Sequence, residues 1–252
     1  MMGASKVTLE ALWRSAAPAD RRFDRSACRD LPAPARRYLE HAIPDGAPLY
    51  RAARLTMRGE MKLGPRWRRF RAEQVIHSAR GFIWAARMRV GALPVSGSDR
   101  FVDGEGVGAW RLFGAVPVAS DGPSPDMNRS AAARFRIESM WLPSILIGEA
   151  TWTEPAADRL TVGLAPFGYE GTHELALDGD GRVVRATMQR WGKPPGREGF
   201  VDAPFGGLVE GYATFSGYRL PSRLRVGWFP TGDGFAPDGE FWRATVASIT
   251  FR

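Results

Sequence analysis

LYRAARLTMRGEMKLGPRWRRFRAEQVIHS, residues 49–78, alternates apolar with charged side chains on both sides of a Gly64-Pro65 link. Successive side chains of a strand point to opposite faces, so this alternation makes one apolar face and one wet face. Two such runs joined by a short link predict an antiparallel hairpin. GFIWAARMRV (81–90) follows as a third strand, with Phe82, Trp84, Ala86 and Met88 on one side. PVSGSDRFVDG and GVGAWRLFGAVPVA come next, joined by the glycine-rich DGEG. Neighbouring segments with links this short read as an antiparallel meander.

The rest of the chain fits around that meander. LPAPARRYLEHAIP (31–44) offers prolines at a helix start, apolar residues at helical spacing and Pro44 to end it. Residues 124–147 interrupt the strands with a helix, capped by Ser124 or Asp126, whose body is RSAAARFRIESMWLPSILI. Strands then resume as ATWTEP, DRLTVGLAPFG, YEGTHELAL, RVVRATMQRWG, ATFSGYRLPSRLRVGWFP and EFWRATVASITFR. Strands never alternate with long helices, which argues against a parallel doubly wound sheet. An open sheet of about ten strands must curl or close. The expected fold is α+β and mainly β: one long curved antiparallel sheet, half-barrel-like, wrapped around the mid-chain helix, with short N-terminal helices. Residues 1–30, polar and arginine-rich, are expected as a loosely held arm with one short helix around Val7–Arg14, and 31–252 as a single curved-sheet domain.

Composition narrows the function classes. At 252 residues, 44% hydrophobic and 25% charged, the chain can bury a sizeable core without staples. The single cysteine, Cys28, cannot form an internal disulfide and fits a reducing compartment. The start lacks an apolar signal-peptide core and no run of eighteen apolar residues occurs, so the cytoplasm is expected and no membrane span is predicted. The net charge is +8, and lysine stands only at positions 6, 62 and 193. Between residues 51 and 71, Arg51, Arg54, Arg58, Lys62, Arg66, Arg68, Arg69 and Arg71 face one acid, Glu60. Such a hairpin is either a face for anions or a partner, or a solvated outer face. No nucleic-acid motif accompanies it, so nucleic acid is not the expected partner.

RFRIESMWLP (134–143) holds a charge that does not suit its place. On a helical wheel Phe135, Trp141, Leu142, Ile145 and Leu146 share one arc, while Arg136, Ser139 and Ser144 point away. Glu138 falls inside the apolar arc, with Arg134 one turn earlier at its edge. Either the two form a buried ion pair, or they face a cavity under the sheet with Trp141 on its wall. Trp84 and Trp110, with Phe82 and Phe113, belong either to the core or to a pocket for an apolar ligand. The same choice holds for Trp191, Trp228 and Trp242.

Other chemistry finds little support. His41, His77 and His173 lack metal-ligand spacing, and DGDGR (178–182) reads as a hairpin turn, not a calcium loop. GEGVG (104–108) joins strands and does not match a dinucleotide fingerprint, and neither a P-loop nor GxSxG occurs. No metal or cofactor is expected. The first function hypothesis is a non-catalytic binder of an apolar or amphipathic, lipid-like small molecule. Its site would be Arg134, Glu138, Trp141, Trp84 and Trp110, with Arg134 orienting a polar group. The second is an enzyme using Glu138 as general acid or base, and the third a partner- or anion-binding protein using hairpin 51–71.

LPAPARRYL (31–39), GFIWAA (81–86) and RFRIESMWLP (134–143), with SDRFVDGEG (98–106) and GYRLPSRLRVGW (217–228), resemble in order the marks of an uncharacterised bacterial family, a domain of unknown function. The resemblance implies kinship without chemistry, and its element most worth testing is the Arg134, Glu138 and Trp141 spacing. By architecture alone, a curled sheet over a helix also resembles periplasmic lipoprotein carriers, which hold acyl chains; this chain departs from them in lacking a secretion signal.

Overall fold

A computed structural model describes residues 6–252. Two short helices, α1 (Leu9–Arg14) and α2 (Ala33–Ala42), precede a first meander: β1 (Ala52–Leu63), β2 (Arg66–His77), β3 (Gly81–Val90), β4 (Leu93–Val102), β5 (Glu105–Leu112) and β6 (Val116–Asp121). Helix α3 (Pro125–Glu138) leads to a second: β7 (Thr151–Ala156), β8 (Arg159–Gly163), β9 (Thr172–Leu177), β10 (Val183–Gly192), β11 (Val201–Phe215) and β12 (Tyr218–Trp228). A small hairpin of β13 (Pro230–Thr231) and β14 (Gly234–Phe235) precedes β15 (Glu240–Phe251).

All but that small hairpin join one sheet of 13 strands, in the order β6-β5-β4-β3-β2-β1-β15-β12-β11-β10-β9-β8-β7. Every pairing is antiparallel, as the alternating pattern requires, and β15 joins the two meanders by pairing with β1 and β12. Helix α3 connects β6 at one edge to β7 at the other, and packs on β4 and β5 from one half and β9 and β10 from the other. One helix can touch both halves only if the sheet curls around it. The expected curved antiparallel sheet wrapped on a mid-chain helix is therefore the fold.

The inner face follows from parity. Leu55, Met57, Phe70, Ala72, Phe82, Trp84, Phe101, Ala186, Met188, Phe205 and Leu224 lie in the same buried cluster as α3. At Gly106 on β5 a Cβ atom would sit 2.6 Å from the Met127 carbonyl oxygen of α3, and the Gly106 N–H donates to Asn128 Oδ1 at 2.7 Å. Only glycine lets the helix come this close. A second, smaller core lies on the opposite face, where Leu12 and Val7 cover Val75, Ile83, Val102 and Val107.

Several expectations need correction. Residues 1–5 of the expected loose arm lie outside the described residues, but the rest of it is folded onto the sheet. Thr8 caps α1, Leu12 is fully buried, Phe23 exchanges backbone bonds with Gly46 and Ala47, and Cys28 is buried. Its arginines hid this: they lie at the surface while a few apolar residues do the anchoring. GVGAWRLFGAVPVA is two strands, β5 and β6, because Phe113 and Gly114 take positive φ and turn the chain. Strand β11 was not anticipated; Pro204 and the Gly206-Gly207 pair disguise it, and Ser216-Gly217 is the turn into β12. Helix α3 starts at the Ser124 cap, whose Oγ accepts from the Met127 N–H, but stops at Glu138 instead of running on to 147. Beyond it come two 3-10 turns, Ser139–Trp141 and Pro143–Leu146. The wheel therefore loses its phase there, and Arg136 and Ser139, expected to point away, are buried because the curled sheet encloses the helix on most sides.

Candidate functional site

Between α3 and the inner face lies a cavity of about 310 Å³. Trp84, Trp141, Phe205, Trp228, Phe241 and Trp242 stand in its apolar wall, and it reaches exposed Asp121 and Lys193 at the rim. Its polar side is built from α3 and two strands. Arg134 Nε donates to Glu138 Oε1 at 2.6 Å and Nη1 to Asp99 Oδ2 at 3.1 Å, while Gln74 Nε2 donates to Glu138 Oε2 at 2.6 Å. The guanidinium lies 4.7 Å from the Phe82 ring centre and 5.4 Å from that of Trp84. Burial works against the Arg134 charge, but Glu138 and Asp99 outweigh it and hold the group above its ordinary pKa. Glu138 thus has an acceptor role on both oxygens, within a clamp that ties α3 to β2 and β4.

The structure brings four of the five expected site residues to the cavity: Arg134, Glu138, Trp141 and Trp84 line it. Trp141 is anchored from outside the helix, its Nε1 donating to the Pro221 carbonyl of β12 at 3.0 Å. Trp110 stands one layer back. It lies across Gly97, where any Cβ would meet its ring, and donates to Asp99 Oδ1 at 3.3 Å, so its contact with the site runs through Asp99 and the Trp84 ring. Phe113 does not line the cavity; it is 62% exposed at the β5–β6 turn. Trp191 lies outside, under the Arg129 guanidinium.

Sequence reasoning missed Gln74, Asp99 and Arg190. Arg190 lies on the inner face of β10, its guanidinium 4.5 Å from the Phe205 ring centre and 5.7 Å from that of Trp228. Its Nη2 makes one long contact, 3.5 Å, with Ser130 Oγ, and its Nε is buried without a partner. Burial, with the like charge of Arg134 next in weight, pushes this guanidinium down to about 10. The signal was present: along β10, Ala186, Met188 and Arg190 occupy one parity, a charge inside an apolar series just as Glu138 is.

The convex side of hairpin 51–71 is crossed by ion pairs: Arg51 with Asp20, Arg54 with Glu10 and Glu73, Arg243 with Glu60 and Lys62 with Asp238. Part of its positive charge is therefore already matched.

His173 is buried on β9, and burial together with the Arg136 guanidinium pushes its imidazole down to about 3. The unfolded chain takes up that proton near the ordinary value of 6.5, and the folded chain only near 3. Stability is accordingly full above pH 6.5 and falls as the pH drops toward 3, by about 1.4 kcal/mol per pH unit from this residue. Between pH 7.5 and pH 5, urea unfolding should show a loss about 2 kcal/mol larger for the wild type than for His173→Leu, with His41 and His77, whose imidazoles burial also pushes down, contributing equally to both. Equal losses in both proteins would refute this assignment.

Among the described residues, no cluster of His, Cys, Asp or Glu is placed to hold a metal ion, and no helix is long and apolar enough to cross a membrane. No curated protein matches the chain. In fold it is similar to a LolA superfamily protein from Nitrosomonas europaea, at 9% identity and a TM-score of 0.44, covering 87% of this chain and 92% of that one. It is similar also to a DUF1329 family protein from Desulfovibrio piger, at 11% identity and a TM-score of 0.41, covering 80% of this chain and 86% of that one. Likenesses this distant say nothing of ligand or activity. The kinship expected from the LPAPARRYL, GFIWAA and RFRIESMWLP stretches is met in sequence, over residues 21–236: the chain belongs to a family of unknown function, DUF6544.

Proposed function

We propose that this protein is a non-catalytic carrier or receptor for an apolar or amphipathic small molecule, bound between α3 and the concave face of the sheet. The observation that supports it is the cavity of about 310 Å³, whose apolar wall combines indole and phenyl rings with methionine and branched side chains. That volume lies at the lower end of the range typical of small-molecule sites, about 300–1,000 Å³. Large side chains normally close such space, because interiors pack as tightly as organic crystals. Here Gly207 of β11 contributes no side chain to the wall, although a Cβ there would make only ordinary contacts at 3.5 Å. The clamp of Arg134, Glu138, Asp99 and Gln74 supports a pre-formed site, since it fixes α3 over the cavity without requiring the ligand. Cys28, the single cysteine, suits a reducing compartment, and the cytoplasm is the location in this reading.

The neutral fluorophore N-phenyl-1-naphthylamine tests the reading. It should bind saturably at one site, with enhanced emission, and Gly207→Leu should weaken binding by at least about tenfold by filling the space. Absence of saturable binding, or equal binding by the filled variant, would refute it.

A further inference from the structure

Arg190 is the group at the cavity that the rest of the protein leaves unmatched. Arg134 has two carboxylates within 3.1 Å. Lys193, at the rim, has Asp121 at 3.6 Å. Arg190 lines the same cavity, yet makes no ion pair within 4 Å among the described residues; its Nε has no acceptor and its side-chain hydrogen bond is the long one to Ser130 Oγ. Guanidinium does not lose its proton in the neutral range, so the positive charge stays there. Arg134, of like charge, and the carboxylates Glu138 and Asp99 act on it without an ion-pair contact. The rings of Phe205 and Trp228 hold the planar group from the side, which leaves its edge donors for something else.

Planar donors in a fork match a carboxylate, two parallel bonds to two oxygens, and Arg190 offers that fork with no carboxylate in direct contact. The surrounding wall is apolar. Resting on the cavity reading above, we infer that the ligand is a monocarboxylic acid with an apolar body, its carboxylate on Arg190 and its body among Trp84, Trp141, Phe205, Trp228 and Trp242. This moves the anchoring role from Arg134, which the clamp already engages, to a residue on β10. The two arginines thereby divide the work: Arg134 holds the site together, and Arg190 selects the sign of what enters.

Displacement of the neutral fluorophore by decanoate and by 1-decanol, which share a chain and differ in the head group, tests the inference at pH 7.5. Decanoate should bind the wild-type protein at least about tenfold more tightly than 1-decanol, as expected for a charge-assisted pair in an apolar site. In Arg190→Met the preference should fall to about one, with 1-decanol still bound, which also shows that the variant is folded. Arg190→Lys should retain part of the preference, because the charge remains and the fork is lost. Equal affinity of the two ligands for the wild type, or an undiminished preference in Arg190→Met, would overturn the inference and leave the cavity reading intact. Failure of the fluorophore and of both ligands to bind the wild type would overturn both.

Discussion

Arg134→Met is expected to destabilise the protein by about 3–5 kcal/mol, measured as a shift in the urea unfolding curve at pH 7.5. The reason lies in what the substitution leaves behind. Methionine keeps much of the apolar stem, so the space near Phe82 and Trp84 is not simply emptied. Glu138 would remain, 8% exposed, with a single bond from Gln74, and Asp99 would lose its cation. Removing one member of a buried pair is costly because the other charge stays in a poor solvent for it. Native domains are stable by only about 5–15 kcal/mol, so a loss of this size is a large share of the total. Arg134→Met combined with Glu138→Met should recover part of the loss, since no stranded carboxylate is then left at 138. An unchanged unfolding midpoint for Arg134→Met would show that water reaches the pair and that no clamp exists.

Trp141→Ala is the second large effect, at about 3–5 kcal/mol. The side chain is 5% exposed and ties the 3-10 turn after α3 to β12 through the Pro221 carbonyl. Alanine there removes most of a ring's buried area, opens a void continuous with the cavity and orphans the carbonyl. Trp141→Phe separates these contributions. It keeps a ring in place but loses the N–H, so it should cost only about 1–3 kcal/mol. Thermal unfolding of the two variants side by side gives the comparison. If Phe and Ala cost the same, the hydrogen bond, and not packing, carries the anchor.

Much of this architecture was legible in the sequence because period-two alternation is a local signal. It marked β1 to β4 closely, and the Gly64-Pro65, Asp103-Gly104 and DGDG turns fell where the chain reverses. Legibility failed where backbone freedom replaces side-chain pattern. In β11, Pro204 and Gly206-Gly207 look like loop residues, yet Gly207 faces the cavity and pairing with β10 and β12 holds the strand. The candidate site was read from one misplaced charge on the helix, Glu138. Its partners on the strands, Gln74 and Asp99, and the lone cation Arg190 carry the same signal in the strand period. They were passed over because a single polar residue in a strand is common on a wet face. Which parity faces inward becomes plain only once neighbouring strands are registered.

The placement of β15 shapes how the chain reaches this state. Nearly every other strand contact in the sheet joins a segment to its immediate successor, across links of a few residues. The seam is different: Ala53 pairs with Phe251 and Met61 with Trp242. Closing such a span costs more chain entropy than closing a hairpin, although the cost grows only logarithmically with length. Much of that entropy falls on the zipper that joins the two halves of the sheet. Topology therefore makes the docking of the last strand between the first and the twelfth a costly step of assembly.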